Sequence, residues 1–192
     1  GNRNLGFEDI EKELSEPTDM RIFSIAEALE KGMPVERIYE LTKIDKWFLF
    51  KLRNIINIKD ELCKYQSLES IPSDLISHSK INGFSDFQIA RHVLKSESDQ
   101  INEDLMKVRK YRKSLGIVPY IKQIDTLAAE YPAVTNYLYL TYSGSEHDIT
   151  CETDKKSVIV LGSGAYRIGS SVEFDWCSVN AIDSIKKEGF RS

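Results

Sequence analysis

Cysteine is scarce in this chain. Three residues, Cys63, Cys151 and Cys177, stand far apart in a sequence of 192. An odd, scattered set excludes a disulfide framework and a cysteine-based zinc centre, and suits a reducing, cytoplasmic setting. Histidine is equally sparse, and His78, His92 and His147 show no metal-ligand spacing. No metal site is therefore expected. No apolar run approaches the roughly 20 residues that a membrane-spanning helix needs. The polar opening Gly1-Asn2-Arg3-Asn4 lacks the apolar core of a signal peptide. Positive charge is not in excess either: 26 Lys and Arg stand against 30 Asp and Glu, a net charge of −4. No overall field exists to draw the chain onto nucleic acid or an anionic membrane. Internal repeats and low-complexity tracts are absent. So is any Ser-His-Asp, Cys-His or paired-carboxylate arrangement, and no catalytic residue is assigned. The neighbours His147 and Asp148 read as a solvated loop pair.

What the sequence does contain is helical periodicity over its first roughly 120 residues. Thr18 is placed to cap a helix with Ile22, Ile25, Ala26 and Leu29 on one face, ended by Gly32. Pro34 suits the first turn of a short helix carrying Val35, Ile38 and Leu41. Asp45 is the expected N-cap of a longer helix whose apolar residues run from Trp47, Phe48 and Leu49 through Leu52, Ile55 and Ile56 to Leu62. So wide a stripe predicts a helix central to a bundle. After a break at 66–73, a helix through Leu75 and Ile76 stops near Asn82-Gly83. Ser85 and Gln88 then form a capping-box pair ahead of Ile89, Ala90, Val93 and Leu94. Ser96 is read as opening the next helix, with Ile101, Leu105, Val108 and Leu115 inward and Gly116 at its left-handed end.

Past Gly116 the character changes. Val118-Pro119 resists helical continuation. Residues 134–142 are rich in β-formers and predict an extended segment, and polar 143–156 reads as a linker. Ser157-Val158-Ile159-Val160-Leu161 reads as a buried strand of a parallel sheet, followed by a glycine-rich turn and a helix from about 171 to 188 closed by Gly189. A lone β-α piece cannot bury both faces of a sheet. The chain also opens on Gly1 rather than Met. It is therefore expected to be an internal piece of something longer: a tail at 1–15, a helical domain at 16–150, and the start of an α/β unit at 151–192. The expected fold class is mainly α.

Four features bear on chemistry. Gly162, Gly164 and Gly169 lie in a strand-to-helix turn, where backbone amides and a helix N-terminus face an anion. The dinucleotide fingerprint needs its third glycine three residues after the second, and Arg167 occupies that place, so a nicotinamide site is not expected. The plain reading is a tight turn. Arg167 with Glu173 and Asp175 lines an anion passage on one reading and forms an ordinary ion pair on the other. Residues 84–116 resemble a helix-turn-helix nucleic-acid module, with Lys107, Arg109, Lys110, Arg112 and Lys113 on its second helix. Those cations fall in the C-terminal half, where the helix dipole favours them, and a solvated face explains them better. The aromatics Trp47, Phe48, Phe50, Tyr137, Tyr139 and Tyr142 suit a core or a subunit interface.

Several strings together resemble one family. Residues 155–180, KKSVIVLGSGAYRIGSSVEFDWCSVN, look like the opening of the second synthetase half of carbamoyl-phosphate synthetase. Residues 44–49 (IDKWFL), 83–86 (GFSD), 122–130 (KQIDTLAAE) and 135–139 (TNYLY) resemble the oligomerisation domain of its large chain. The likeness covers about residues 16–185, and its Ser-Gly-Ala-Tyr-Arg version is most similar to the eukaryotic multifunctional pyrimidine-pathway type. The resemblance implies a parent that makes carbamoyl phosphate from bicarbonate, ATP and glutamine-derived ammonia. That parent has two ATP-grasp halves using ATP with Mg or Mn, and K, and a carbamate tunnel. It further implies that Arg167 and Glu173 line the tunnel. Implied partners are the two flanking synthetase halves, a glutaminase subunit or domain, and further copies of the chain, with no membrane or nucleic acid. The ATP-grasp segments and the glutaminase Cys-His pair are absent here, so this segment is expected to be inactive alone and to bind no cofactor.

Overall fold

A computed structural model describes residues 6–97, 99–125, 127–132, 138–150, 156–161 and 172–192. The chain divides into two units, Gly1–His147 and Asp148–Ser192. The first contains seven helices among its described residues: α1 (Ile10–Ser15), α2 (Arg21–Glu30), α3 (Val35–Thr42), α4 (Lys46–Leu62), α5 (Ser73–Ile81), α6 (Asp86–Val93) and α7 (Ile101–Ser114). A 3-10 turn at Leu68–Ser70 separates α4 from α5. An antiparallel pair, β1 (Tyr120–Gln123) and β2 (Leu138–Thr141), follows in the register Tyr120 to Thr141 and Gln123 to Leu138. The mainly α expectation holds.

Most helix ends obey local chemistry. The Asp45 carboxylate accepts from the Trp47 amide at 2.7 Å and starts α4. The Ser85–Gln88 capping box closes in both directions, at 2.8 and 3.1 Å. Gly116 adopts φ 75°, and the following amide of Ile117 returns to Arg112 O at 2.9 Å. That left-handed geometry is costly for other residues.

Three starts differ from the sequence reading. Residues 10–15, placed in the tail, form α1, and Leu14 is fully buried. Helix α2 starts at Arg21; Thr18 accepts from the Met20 amide at 3.3 Å in a turn before it. Its buried residues are Ser24, Ile25, Glu27, Ala28 and Leu29, while Ile22 is exposed. Ser96 does not cap α7, which begins five residues later. Its buried hydroxyl donates to Asp104 Oδ2 at 2.6 Å and lies 3.3 Å from Ala90 O, joining the end of α6 to α7.

Buried apolar residues form two clusters. One gathers Leu14, Ile25, Leu29 and Ile38 around Leu49 and Ile56; the other gathers Ile76, Phe84, Ile89 and Val93 around Ile58 and Leu62. Helix α4 serves both. Successive residues turn by about 100°, so Ile56 and Ile58 point to nearly opposite sides. This is why the α4 stripe is so wide. Its first half faces one cluster and its second half the other. Trp47 lies eleven residues before Ile58, and hence on the same side of the helix. Among the described residues no helix buries it there. Trp47 and Phe48 are 59% and 58% exposed, and Phe50 and Ile55 are exposed beside them.

The second unit contains α8 (Val172–Lys187), closed by Gly189 at φ 81°. The strand expected at 157–161 is not formed. Ser157 makes a single parallel bridge with Arg191, and Ile159 and Leu161 are 84% and 90% exposed. A buried parallel strand needs neighbours on both edges, and the described residues of this unit supply only the short Arg191 contact on one. The apolar pattern is genuine, but its partners are not among these residues.

Candidate functional site

The residues assigned to the tunnel are placed unevenly. Gly162, Gly164, Arg167 and Gly169 lie outside the described residues. Glu173 is the second residue of α8, and its side chain, like that of Asp175, lies outside them as well. Position alone puts Glu173 in the first turn, where a helix dipole favours negative charge.

Among the described residues, the densest charge arrangement is elsewhere. Asp86, the first residue of α6, joins three helices. It accepts from Lys80 Nζ on α5 at 2.8 Å, and from Arg112 Nε on α7 at 2.9 and 3.0 Å. Lys80 also donates to Phe84 O at 2.7 Å, and Arg112 Nη1 to Ile117 O at 2.9 Å. Both cations are buried. The ring of Tyr142, just after β2, covers them, its centre 4.9 Å from Lys80 Nζ and 5.4 Å from Arg112 Cζ. Its π face is an attractive surface for cations held away from water. Burial alone raises the Asp86 carboxyl. Hydrogen bonds and charge from Arg112 and Lys80 outweigh it and hold the group below its ordinary range. Burial pushes the Tyr142 phenol up.

This cluster corrects the reading of α7. Arg112 is not on a solvated face. The inner face is Asp104, Val108 and Arg112, two of the three charged and both satisfied, since Asp104 also pairs with Lys107 at 2.7 Å. Leu115 is exposed instead. The signal was present in the sequence: Arg112 follows Val108 by four residues and precedes Leu115 by three, at inward spacing. A charge at such a position implies a buried partner. With Arg112 turned inward and Lys107 paired, the basic row proposed for nucleic acid is broken.

A second buried group has no local signal in the sequence. His92 on α6 lies with Nδ1 3.8 Å from Cys63 Sγ, at the end of α4, and with its ring edge-on to Phe84. Burial, then the charges of Lys59, Lys95 and Arg91, lower its pKa. The two residues are 29 apart, which no local pattern reveals. A depressed imidazole pKa favours the neutral folded form. Its contribution is complete above the unfolded value of about 6.5 and is lost as pH falls below it. The melting temperature should therefore drop between pH 7 and pH 5, and His92→Gln should flatten that drop. Parallel profiles for the two proteins would refute this role.

The polar 143–147 stretch also folds back. The Ile121 amide donates to His147 Nδ1 at 3.0 Å, and a Cβ on Gly144 would come within 2.9 Å of Tyr120 Cβ. Among the described residues no cluster of His, Cys, Asp or Glu could hold a metal ion, and no helix is long and apolar enough to cross a membrane.

Comparison with known proteins assigns the fold. The model of the carbamoyl-phosphate synthetase large chain, oligomerisation domain, matches residues 2–116. This chain belongs to the carbamoyl-phosphate synthetase large-chain family. The carbamoyl phosphate synthase preATP-grasp domain matches residues 154–192, so α8 and the segment before it open that second domain. The chain is 48% identical over 186 residues to multifunctional protein pyr1-3 of Dictyostelium discoideum, covering 97% of this chain and 8% of that protein. It is 45% identical over 196 residues to multifunctional protein URA2 of Saccharomyces cerevisiae, covering 98% and 8%. Similarity to the mitochondrial carbamoyl-phosphate synthase [ammonia] of Rattus norvegicus is 48% over 181 residues, 94% and 11%. The chain thus spans about a tenth of the length of these relatives. In synthetase terms, both buried clusters and the Asp86 ion cluster fall within the oligomerisation domain, except that Ile117 and Tyr142 follow its matched range.

Proposed function

We propose that this segment joins the two synthetase halves of a carbamoyl-phosphate synthetase and mediates its self-association. The observation that carries the reading is the match to an oligomerisation domain followed, in order, by a preATP-grasp domain. The uncovered aromatic face of α4 supports the association part, because a face this apolar is stabilised by contact. Within the parent, which makes carbamoyl phosphate from bicarbonate, ATP and ammonia released from glutamine, the segment acts as scaffold.

Sedimentation velocity of the chain over a concentration series tests association. A mass that grows with concentration is expected, and a monomer at every concentration refutes it. Arg167 and Glu173 form the second part of the proposal, lining the passage between the halves. Opposite charges in a narrow conduit hold a carbamate anion without trapping it, provided they balance each other. In the whole synthetase, Arg167→Ala should leave glutamine hydrolysis intact while carbamoyl phosphate output falls. A parallel fall in both would remove the tunnel role.

A further inference from the structure

Two exposed apolar patches on the helical unit have rims of opposite charge. The first is the α4 face, centred on Trp47, Phe48 and Ile55. Lysines border it and lie against its rings. Lys51 Nζ is 5.1 Å from the centre of the Trp47 ring, and Lys46 Nζ and Lys43 Nζ are 5.3 and 6.0 Å from that of Tyr39. The acids nearest in sequence are engaged: Asp45 caps α4, and Glu40, next to Tyr39, pairs with Arg37 at 3.1 Å.

The second patch is the entry to α2. Ile22 and Phe23 there are 49% and 48% exposed. They follow directly on exposed Glu16 and Asp19. Residues 8–19 hold six acidic side chains and one lysine. Arg37 neutralises one of the six, Glu11, at 2.8 Å. The adjacent cation, Arg21, turns back to donate to Ser15 O at 3.0 Å.

Like faces cannot meet. Two α4 faces in contact would oppose lysines to lysines, and two α2 entries would oppose acids to acids. The α2 entry against the α4 face instead sets apolar on apolar and acid on base. Aromatic centres of this kind supply most of the affinity of an interface, while charged rims fix its register and reject wrong pairings. We propose that a second copy of this chain seats its α2 entry, Ile22 and Phe23 with Glu16 and Asp19, on the Trp47–Phe48 face of the first. The inference rests on the self-association reading and names its surfaces.

Paired charge reversal tests it. Lys46→Glu with Lys51→Glu makes one variant, and Glu16→Lys with Asp19→Lys makes the other. All four side chains are exposed, so the fold is retained, which circular dichroism checks. By sedimentation equilibrium each variant alone should show a dissociation constant raised roughly tenfold or more, because like charges then face each other. An equimolar mixture should regain wild-type association, since the reversed acid rim of one fits the reversed basic rim of the other. Wild-type association should also weaken from about 50 mM to about 500 mM salt as screening grows. Association of either variant at wild-type strength, or a mixture no tighter than its components, overturns the pairing alone. A wild-type chain that is monomeric throughout overturns the self-association reading and the pairing with it.

Discussion

Replacing Asp86 with alanine should destabilise the helical unit by about 3–5 kcal/mol, the usual consequence of removing one partner from a buried ion pair. Lys80 and Arg112 would remain, both buried, with Phe84 O, Ile117 O and the Tyr142 ring as their surviving partners. No anion would be left between them. The carbonyls still satisfy hydrogen bonds but carry no neutralising charge, and desolvating two adjacent cations is what costs most. A fall in the thermal midpoint on the order of 10 °C is expected for a chain of this size. Its pH dependence should change as well. The Asp86 carboxyl is held below its ordinary value of 3.8, so its contribution is complete above that pH and is lost as pH falls through and below it. The alanine variant should lose that acid limb. Adding Lys80→Met and Arg112→Met to the variant should recover part of the loss, since a packed apolar replacement for a buried ion cluster is often neutral. A midpoint within a degree or two of wild type for Asp86→Ala alone would show that water reaches the cluster and that it bears little of the stability.

Asn57→Pro should be at least as damaging, for a backbone reason. Asn57 lies in the interior of α4 and is exposed, so no packing is lost with its side chain. In the α-helical pattern its amide donates to the carbonyl of Arg53. Proline removes that donor, its ring clashes with the same carbonyl, and the helix kinks or breaks at a cost of about 3 kcal/mol or more. The site lies between Ile56, which packs into one cluster, and Ile58, which packs into the other. A kink there misorients both at once, and chemical denaturation should show both clusters weakened together. Asn57→Ala is the control and should stay within about 0.5 kcal/mol of wild type. If proline is tolerated at 57, α4 is not the element that ties the two clusters together.

Much of this fold follows from short-range rules. The Asp45 cap, the Ser85–Gln88 box, and the Gly116 and Gly189 closures each depend on residues within a few positions. Local hydrogen bonding and φ preference decide them, so they were legible in the sequence. Lys43, which ends α3 at φ 58°, carried no such signal, because lysine is not a residue that favours the left-handed region. The candidate site was less legible. Arg112 occupies an inward position by spacing, while its charge points to a solvated face. Lys80 and Asp86 are separated by a helix end, and Tyr142 lies 30 residues beyond Arg112, past the β1–β2 pair. Nothing periodic links them.

The sequence by itself determined that the chain is mainly helical, where most helices lie, and which family it belongs to, because caps, apolar spacing and ordered motifs are local and survive without coordinates. Only the tertiary structure decided which apolar residues are covered. Trp47 and Ile58 share one side of α4, yet one is open and the other buried, because Ile58 packs in one cluster with residues of α5 and α6 and Trp47 does not. Likewise Val158, Ile159 and Leu161 spell a buried strand but stand exposed. Hydrophobicity states a preference for burial, and only neighbouring elements can satisfy it.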